Sequence, residues 1–117
     1  MQPALGVDVT TYDHTVVVSV SGELDTDTSP LVARATGTLD LRPGGPALVL
    51  DLAGVTFIDA GALNMLLALR HNARAHGTTL RLRAVPAQAQ QLLDLTGTRH
   101  LFTYCPGPTA PGPGTRV

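Results

Sequence analysis

Apolar and polar residues along this chain switch repeatedly between a period of two and a period of three to four. Residues 7–12 and 15–21 (TVVVSVS) are rich in the branched side chains that suit a pleated surface. The polar pair Asp13-His14 between them predicts an antiparallel hairpin. After the polar segment GELDTDTSP, Thr28 or Ser29 can N-cap a helix with Pro30 at its first position. That helix carries Leu31, Val32, Ala35, Leu39 and Leu41 and is ended by Pro43-Gly44-Gly45-Pro46. Residues 47–52 (ALVLDL) form an apolar run that suits a central strand buried on both faces.

A second short β run at 55–58 leads into a helix expected over residues 60–76, with Gly77 just past its end. Leu63, Leu66, Leu69 and Ala73 recur at spacings of three and four, which marks one buried stripe. Residues 79–83 (TLRLR) alternate as a half-exposed strand does. Pro86 opens a third helix reaching about Leu95, with Leu92, Leu93 and Leu95 as its apolar residues, and Gly97 stops it. A last short strand is expected over 101–104. Pro and Gly dominate from Pro106 onward, so residues 106–117 are expected to be a disordered tail on an ordered unit of residues 5–105. The element order is β-β-α-β-α-β-α-β, an α/β class with a mixed sheet and parallel βαβ units.

Composition narrows the function classes. The chain has 117 residues, 44% of them apolar, but only two Phe, two Tyr and no Trp, so Leu, Val and Ala must build a modest core. Eight basic and nine acidic residues leave a net charge of −1, which provides no footprint for nucleic acid or an anionic membrane. Cys105 is the only cysteine, so no internal disulfide is available. The first residues carry no basic-then-apolar signal, and no apolar run approaches the length of a membrane span. A soluble, cytoplasmic protein is expected.

Candidate chemistry is sparse. His14, His71, His76 and His100 are scattered, and His71 and His76 are not spaced to share a helix face, so no metal site is expected. No phosphate-binding glycine loop occurs and no cofactor is expected. Cys105 reads as an incidental thiol. The acids carry more. Asp51 ends one strand run and Asp59 begins a helix, and the two could form a carboxylate cluster with Glu23 and Asp25. The other reading makes Asp59 simply an N-cap that takes the free N–H groups of Gly61 or Ala62.

The segments VVVSVSGELDTDT, LVLDLAGVTFIDAGALNMLL and GTTLRLRAVPAQAQQLLDLTGTRHLF together resemble the STAS domain, in particular the bacterial anti-sigma factor antagonists. The resemblance covers residues 5–105. It implies a STAS-like mixed β-sheet with helices packed mainly on one side, and a job done by binding rather than catalysis. It implies docking on an anti-sigma factor, often a serine kinase with a kinase-like ATPase fold, which then releases its sigma factor. In that family the kinase phosphorylates a Ser directly after the junction Asp, in a pattern close to Asp-Ser-Ser-Gly-Leu.

Here the pattern is Asp59-Ala60-Gly61-Ala62-Leu63. Ala60 stands at the phospho-acceptor position, so the usual switch is absent there. Thr56 is the nearest hydroxyl in sequence and the candidate substitute. Carried over residue by residue, the partner-binding face comprises Glu23, Leu24, Asp25, Asp59, Ala60, Gly61, Asn64 and Met65. Leu24 is open to a plain core reading, and Met65 to a core-edge one. A STAS scaffold subunit of a transporter or stressosome-like assembly is the alternative function, and a carboxylate-based enzyme a remote one. Self-association is left open by the sequence.

Overall fold

In the computed structural model, residues 5–105 are described and form the elements β1 (Leu5–Tyr12), β2 (Thr15–Leu24), α1 (Ser29–Gly37), β3 (Ala47–Ile58), α2 (Ala60–Ala75), β4 (Leu80–Arg83), α3 (Ala87–Thr96) and β5 (Thr103–Tyr104). The expected disordered tail, 106–117, lies outside the described residues. The strands form one sheet in the order β1-β2-β3-β4-β5. β1 pairs antiparallel with β2, and the other neighbours pair parallel. The hairpin turns at Asp13 and His14, with φ of 50° and 60°. Two consecutive positive φ values match the twist of the flanking strands.

All three helices feed one apolar cluster on one face of the sheet. Val32 of α1, Ala62, Leu63, Leu66 and Ala73 of α2, and Ala89 and Leu93 of α3 pack there against Val18, Val20, Leu50, Leu52 and Leu82. On β3, Leu48, Val49 and Leu50 are all buried, so the centre of this strand is covered on both faces as its apolar run predicts.

The segments expected as two separate runs, 47–52 and 55–58, are one strand of 12 residues interrupted by two bulges. The partner of Ser19 is Asp51 and that of Ser21 is Gly54; the partner of Gly22 is Val55 and that of Glu23 is Phe57. Each step inserts one extra residue on β3, which bends a strand and shifts its side-chain phase. Inward-facing residues consequently change spacing from Leu48, Leu50 and Leu52 to Leu52, Val55 and Ile58. Gly54 makes the first bulge sterically feasible, since a Cβ there would meet Ser21 Cβ at 2.8 Å.

Four expected boundaries or burials are corrected. α1 ends at Gly37, not near Leu41, and Leu39 and Leu41 reach the core from the following loop. Thr36 and Thr38 turn their hydroxyls back onto Val32 O and Ala35 O, each at 2.9 Å, at the end of the helix. The buried stripe of α1 runs Ser29, Val32, Thr36, which leaves Leu31 outside it and exposed. On α3 the stripe is Ala89 and Leu93, so Leu95, expected inside, is 78% exposed. β5 is only Thr103–Tyr104, because Arg99–Leu101 forms a 3₁₀ turn first.

The ends of α2 follow from local chemistry. Asp59 is extended (φ −111°, ψ 179°) and its carboxylate accepts the Ala62 N–H. At the other end Gly77 takes φ +80°, its N–H donates to Arg74 O at 3.0 Å, and Thr78 N–H donates to Ala73 O at 2.9 Å. This is the paired C-terminal cap that a left-handed glycine permits. Asn64, Ala68 and His71 lie on the exposed side of α2, opposite its leucines.

Candidate functional site

The end of β2, the loop after it, the end of β3 and the first turn of α2 converge on Asp59. Asp59 Oδ1 accepts the Ala62 N–H at 2.9 Å. Its Oδ2 accepts the Thr26 N–H at 3.2 Å and the Thr26 hydroxyl at 3.3 Å. The Asp59 N–H donates to Leu24 O at 3.3 Å. One carboxylate therefore caps the helix and ties it to the loop between β2 and α1. The Ala62 N–H, then the two Thr26 groups and the Gly61 N–H, hold the Asp59 carboxyl below the usual aspartate range, against a raising effect of burial.

Asp25 turns inward to organise the same loop. Its Oδ1 accepts the N–H groups of Asp27 at 3.0 Å and Thr28 at 2.9 Å, and its carbonyl accepts Ser29 N–H at 2.8 Å. Thr28 holds the N-cap position of α1 but no side chain caps the helix; the Ser29 N–H is taken by the Asp25 carbonyl, and the Asp25 carboxylate orders the loop just before it. Thr28 makes no side-chain cap bond; its hydroxyl donates to Glu23 O at 2.8 Å and accepts Asp25 N–H at 2.9 Å. Leu24 is completely buried, so the core reading holds and it presents no side chain to a partner.

Ala60 and Asn64 are exposed, and Gly61 and Met65 are half-buried, with Met65 packed on the edge of the core. Glu23 is exposed and paired in register with Phe57. Both point away from the helices, because their neighbours Leu24 and Ile58 point into the core. The structure thus brings Asp59, Ala60, Gly61, Asn64 and Met65 onto the first turns of α2, with Asp25 and Thr26 beside them.

Three contributors escape a reading of the sequence. Thr26 is 33 residues from Asp59, and nothing local signals their contact. Gln88 of α3 makes a two-way amide pair with the backbone of Ile58, both bonds at 2.9 Å, in the place of a neighbouring strand. Phe57 is 45% exposed at the end of β3, where its apolar type suggested burial.

The other carboxylate of β3 lies apart. Asp51 Oδ2 accepts from Arg83 Nη2 at 2.7 Å and Nε at 3.1 Å, and Asp51 Oδ1 caps Ala53 N–H at 2.9 Å. A cleft of about 900 Å³ opens there, beside the middle of β3 and at the carboxyl ends of β4 and β5, bounded by Asp51, Arg83, Pro86, Arg99, Tyr104 and Cys105. Burial pushes the Tyr104 phenol up, and its hydroxyl donates to Arg99 O at 2.8 Å. Asp59 does not line this cleft, so the supposed carboxylate cluster of Asp51, Asp59, Glu23 and Asp25 is not assembled. Among the described residues no group of His, Cys, Asp or Glu is placed to hold a metal ion. Among them, too, no helix is long and apolar enough to cross a membrane.

Comparison with known proteins agrees with this geometry. Residues 7–103 match the family described as Mlab, STAS domain, and the chain belongs to the STAS domain family. An anti-sigma factor antagonist from Mycobacterium paratuberculosis is 30% identical, with a TM-score of 0.74 over 88% of this chain and 86% of that one. The anti-sigma factor antagonist SpoIIAA in its unphosphorylated form is 14% identical, with a TM-score of 0.67 over 86% of this chain and 88% of that one. A sulfate transporter family protein from Wolinella succinogenes is 16% identical, with a TM-score of 0.63 over 75% of this chain and 74% of that one. The last two show the fold alone. Among curated proteins none matches the chain.

The expected architecture, a mixed sheet with helices on one side in the order β-β-α-β-α-β-α-β, is the one observed. The chain resembles the anti-sigma factor antagonists.

Proposed function

We propose that this STAS domain is a protein-binding module that docks on an anti-sigma factor through the junction between β3 and α2. The observation that carries the reading is a small, exposed Ala60 at the tip of a helix capped by Asp59, in a chain 30% identical to an anti-sigma factor antagonist. Asp59, Ala60, Gly61, Asn64 and Met65 supply the face, Asp25 and Leu24 support it from beneath, and Glu23 points to the other side of the sheet. The partner is an anti-sigma factor of the kinase-like ATPase type, acting in the cytoplasm.

A phosphate adds about −1.5 to −2 charges at neutral pH. On a hydroxyl at position 60 it would stand beside Asp59 and repel it, and it would crowd a tight interface. Ala60 leaves this position small, neutral and closed to such modification. The antagonist is therefore not switchable there, and its binding is constitutive with respect to that residue.

Co-purification from the native cell tests the assignment. Retention of an anti-sigma factor supports it. Retention of a transporter ATPase in its place overturns it in favour of the scaffold-subunit reading, which rests at present on fold likeness to a transporter-family protein.

A further inference from the structure

The two edges of the sheet are built differently. β5 offers only two residues, a length that resists pairing with a further strand. β1 is eight residues long and pairs with β2 without a break in register from Leu5 to Tyr12. Among the described residues no strand pairs with its other side. Alternate residues of such an edge turn their N–H and C=O groups outward. The devices that blunt a long edge are missing from residues 5–12, which contain no Lys, no Pro and no bulge, and Asp8 is their one charged side chain. Val9 shares the helix face of the sheet with its register partner Val18, which is completely buried, yet Val9 is 42% exposed. α1 packs across β1 and β2, with α2 beside it. A β2–α1–β3 crossover of the usual right hand turns the residue before the buried Val32 towards the β1 edge. That residue is Leu31, which is exposed, and the half-buried Ala35 shares its side of the helix four positions on.

We infer that β1 is a homodimer seam, at which a second copy of this chain adds its own β1 antiparallel across a two-fold axis perpendicular to the sheet. Such a contact is self-complementary and closed, and it sets both helix layers on the same side. Charge and length select the register. An axis at residue 8 would set Asp8 against Asp8 of the copy, a destabilising pair. Axes at 7 or 10 pair only residues 5–9 or 8–12. An axis at Val9 pairs residues 6–12 of each copy, sets Val9 against Val9, and sets each Asp8 against Thr10 of the other. The Thr10 hydroxyl donates to its own Asp8 Oδ2 at 3.3 Å, a long bond that the seam exchanges for one between copies. Strands in a sheet lie about 4.8 Å apart, so a helix above the β1–β2 boundary stands about 10 Å from its copy, within reach of helix packing. Leu31 and Ala35 supply a large and a small residue for that contact. The two junction faces point to opposite ends of the joined sheet and stay open, so the seam stands apart from the docking reading.

Sedimentation equilibrium of the whole chain over a range of concentrations tests the seam. The expected result is a reversible monomer–dimer equilibrium whose dissociation constant rises about tenfold or more in Val9→Lys, at unchanged circular dichroism, since lysines on an edge strand oppose pairing. Val9→Cys in a Cys105→Ser background reads the register. Oxidation should give a covalent dimer by intact mass, because opposite Cα atoms in an antiparallel pair lie within disulfide reach. Leu95→Cys in the same background, equally open to solvent but on α3, should stay monomeric. A chain that is monomeric at every concentration overturns the inference, and so does a dimer that a folded Val9→Lys leaves intact. If Val9→Lys does not fold, the cross-link decides: its absence in Val9→Cys, or its equal formation in Leu95→Cys, overturns the seam.

Discussion

Asp51 and Asp59 belong to the same stretch of chain, one inside β3 and one at its exit, yet they do different work. Asp51 answers a guanidinium, Arg83, and closes a local turn at Ala53. Asp59 answers backbone N–H groups and a hydroxyl, and joins α2 to the loop before α1. The two bulges between them separate the roles. They shift the strand's register against β2, and its last residues have no β4 neighbour because the four-residue β4 pairs only with positions 48–51. Gln88 fills that gap at Ile58. The acid inside the strand makes an ion pair, and the acid just past its end makes a cap, with a small exposed helix tip beside it.

The largest effect is expected where the two regions are divided. Gly54→Ala forces a Cβ into Ser21 and should destabilise by about 1–3 kcal/mol, read as a lower urea midpoint at unchanged slope. A midpoint equal to the native one would mean that the bulge adapts freely. Next, Asp59→Ala removes the cap and both Thr26 bonds and should cost about 1–2 kcal/mol in the same titration. Asp51→Ala removes the partly exposed pair with Arg83 and should cost about 1 kcal/mol, less in molar salt because the pair is screened. The cost of Asp59→Ala, carried by short-range bonds to backbone, should change little with salt.

Acid sharpens the contrast further. The folded carboxyl of Asp59 lies below its unfolded value, so its contribution is complete above about pH 3.9 and is lost as pH falls towards the lowered folded value. Stability measured across this window should fall less in Asp59→Asn than in the native chain. Equal slopes in the two proteins would remove Asp59 from the account.

Much of this was legible because it is local. The hairpin at Asp13-His14, the leucine stripe of α2, the glycine after it and the cap at Asp59 all depend on residues within a few positions of one another. The bulges were hidden because register is a property of two strands: spacings of three at Leu52, Val55 and Ile58 read as an interruption until β2 lies alongside. Leu95 and Leu31 were misplaced because a leucine next to a stripe looks like part of it. Thr26 and Gln88 reach the junction across 33 and 30 residues, beyond any local pattern. Leu24 was named in the partner face through family resemblance, but strand alternation beside exposed Glu23 puts it in the core.

On the docking reading, the partner sits on the face around Ala60. Ala60→Glu tests it most directly, because an acid in the first turn of α2 favours the helix and leaves the fold intact. Titration calorimetry with the anti-sigma factor retained from the native cell should show affinity reduced about tenfold or more relative to the native chain. Equal affinity for the two proteins would place the partner elsewhere on the molecule.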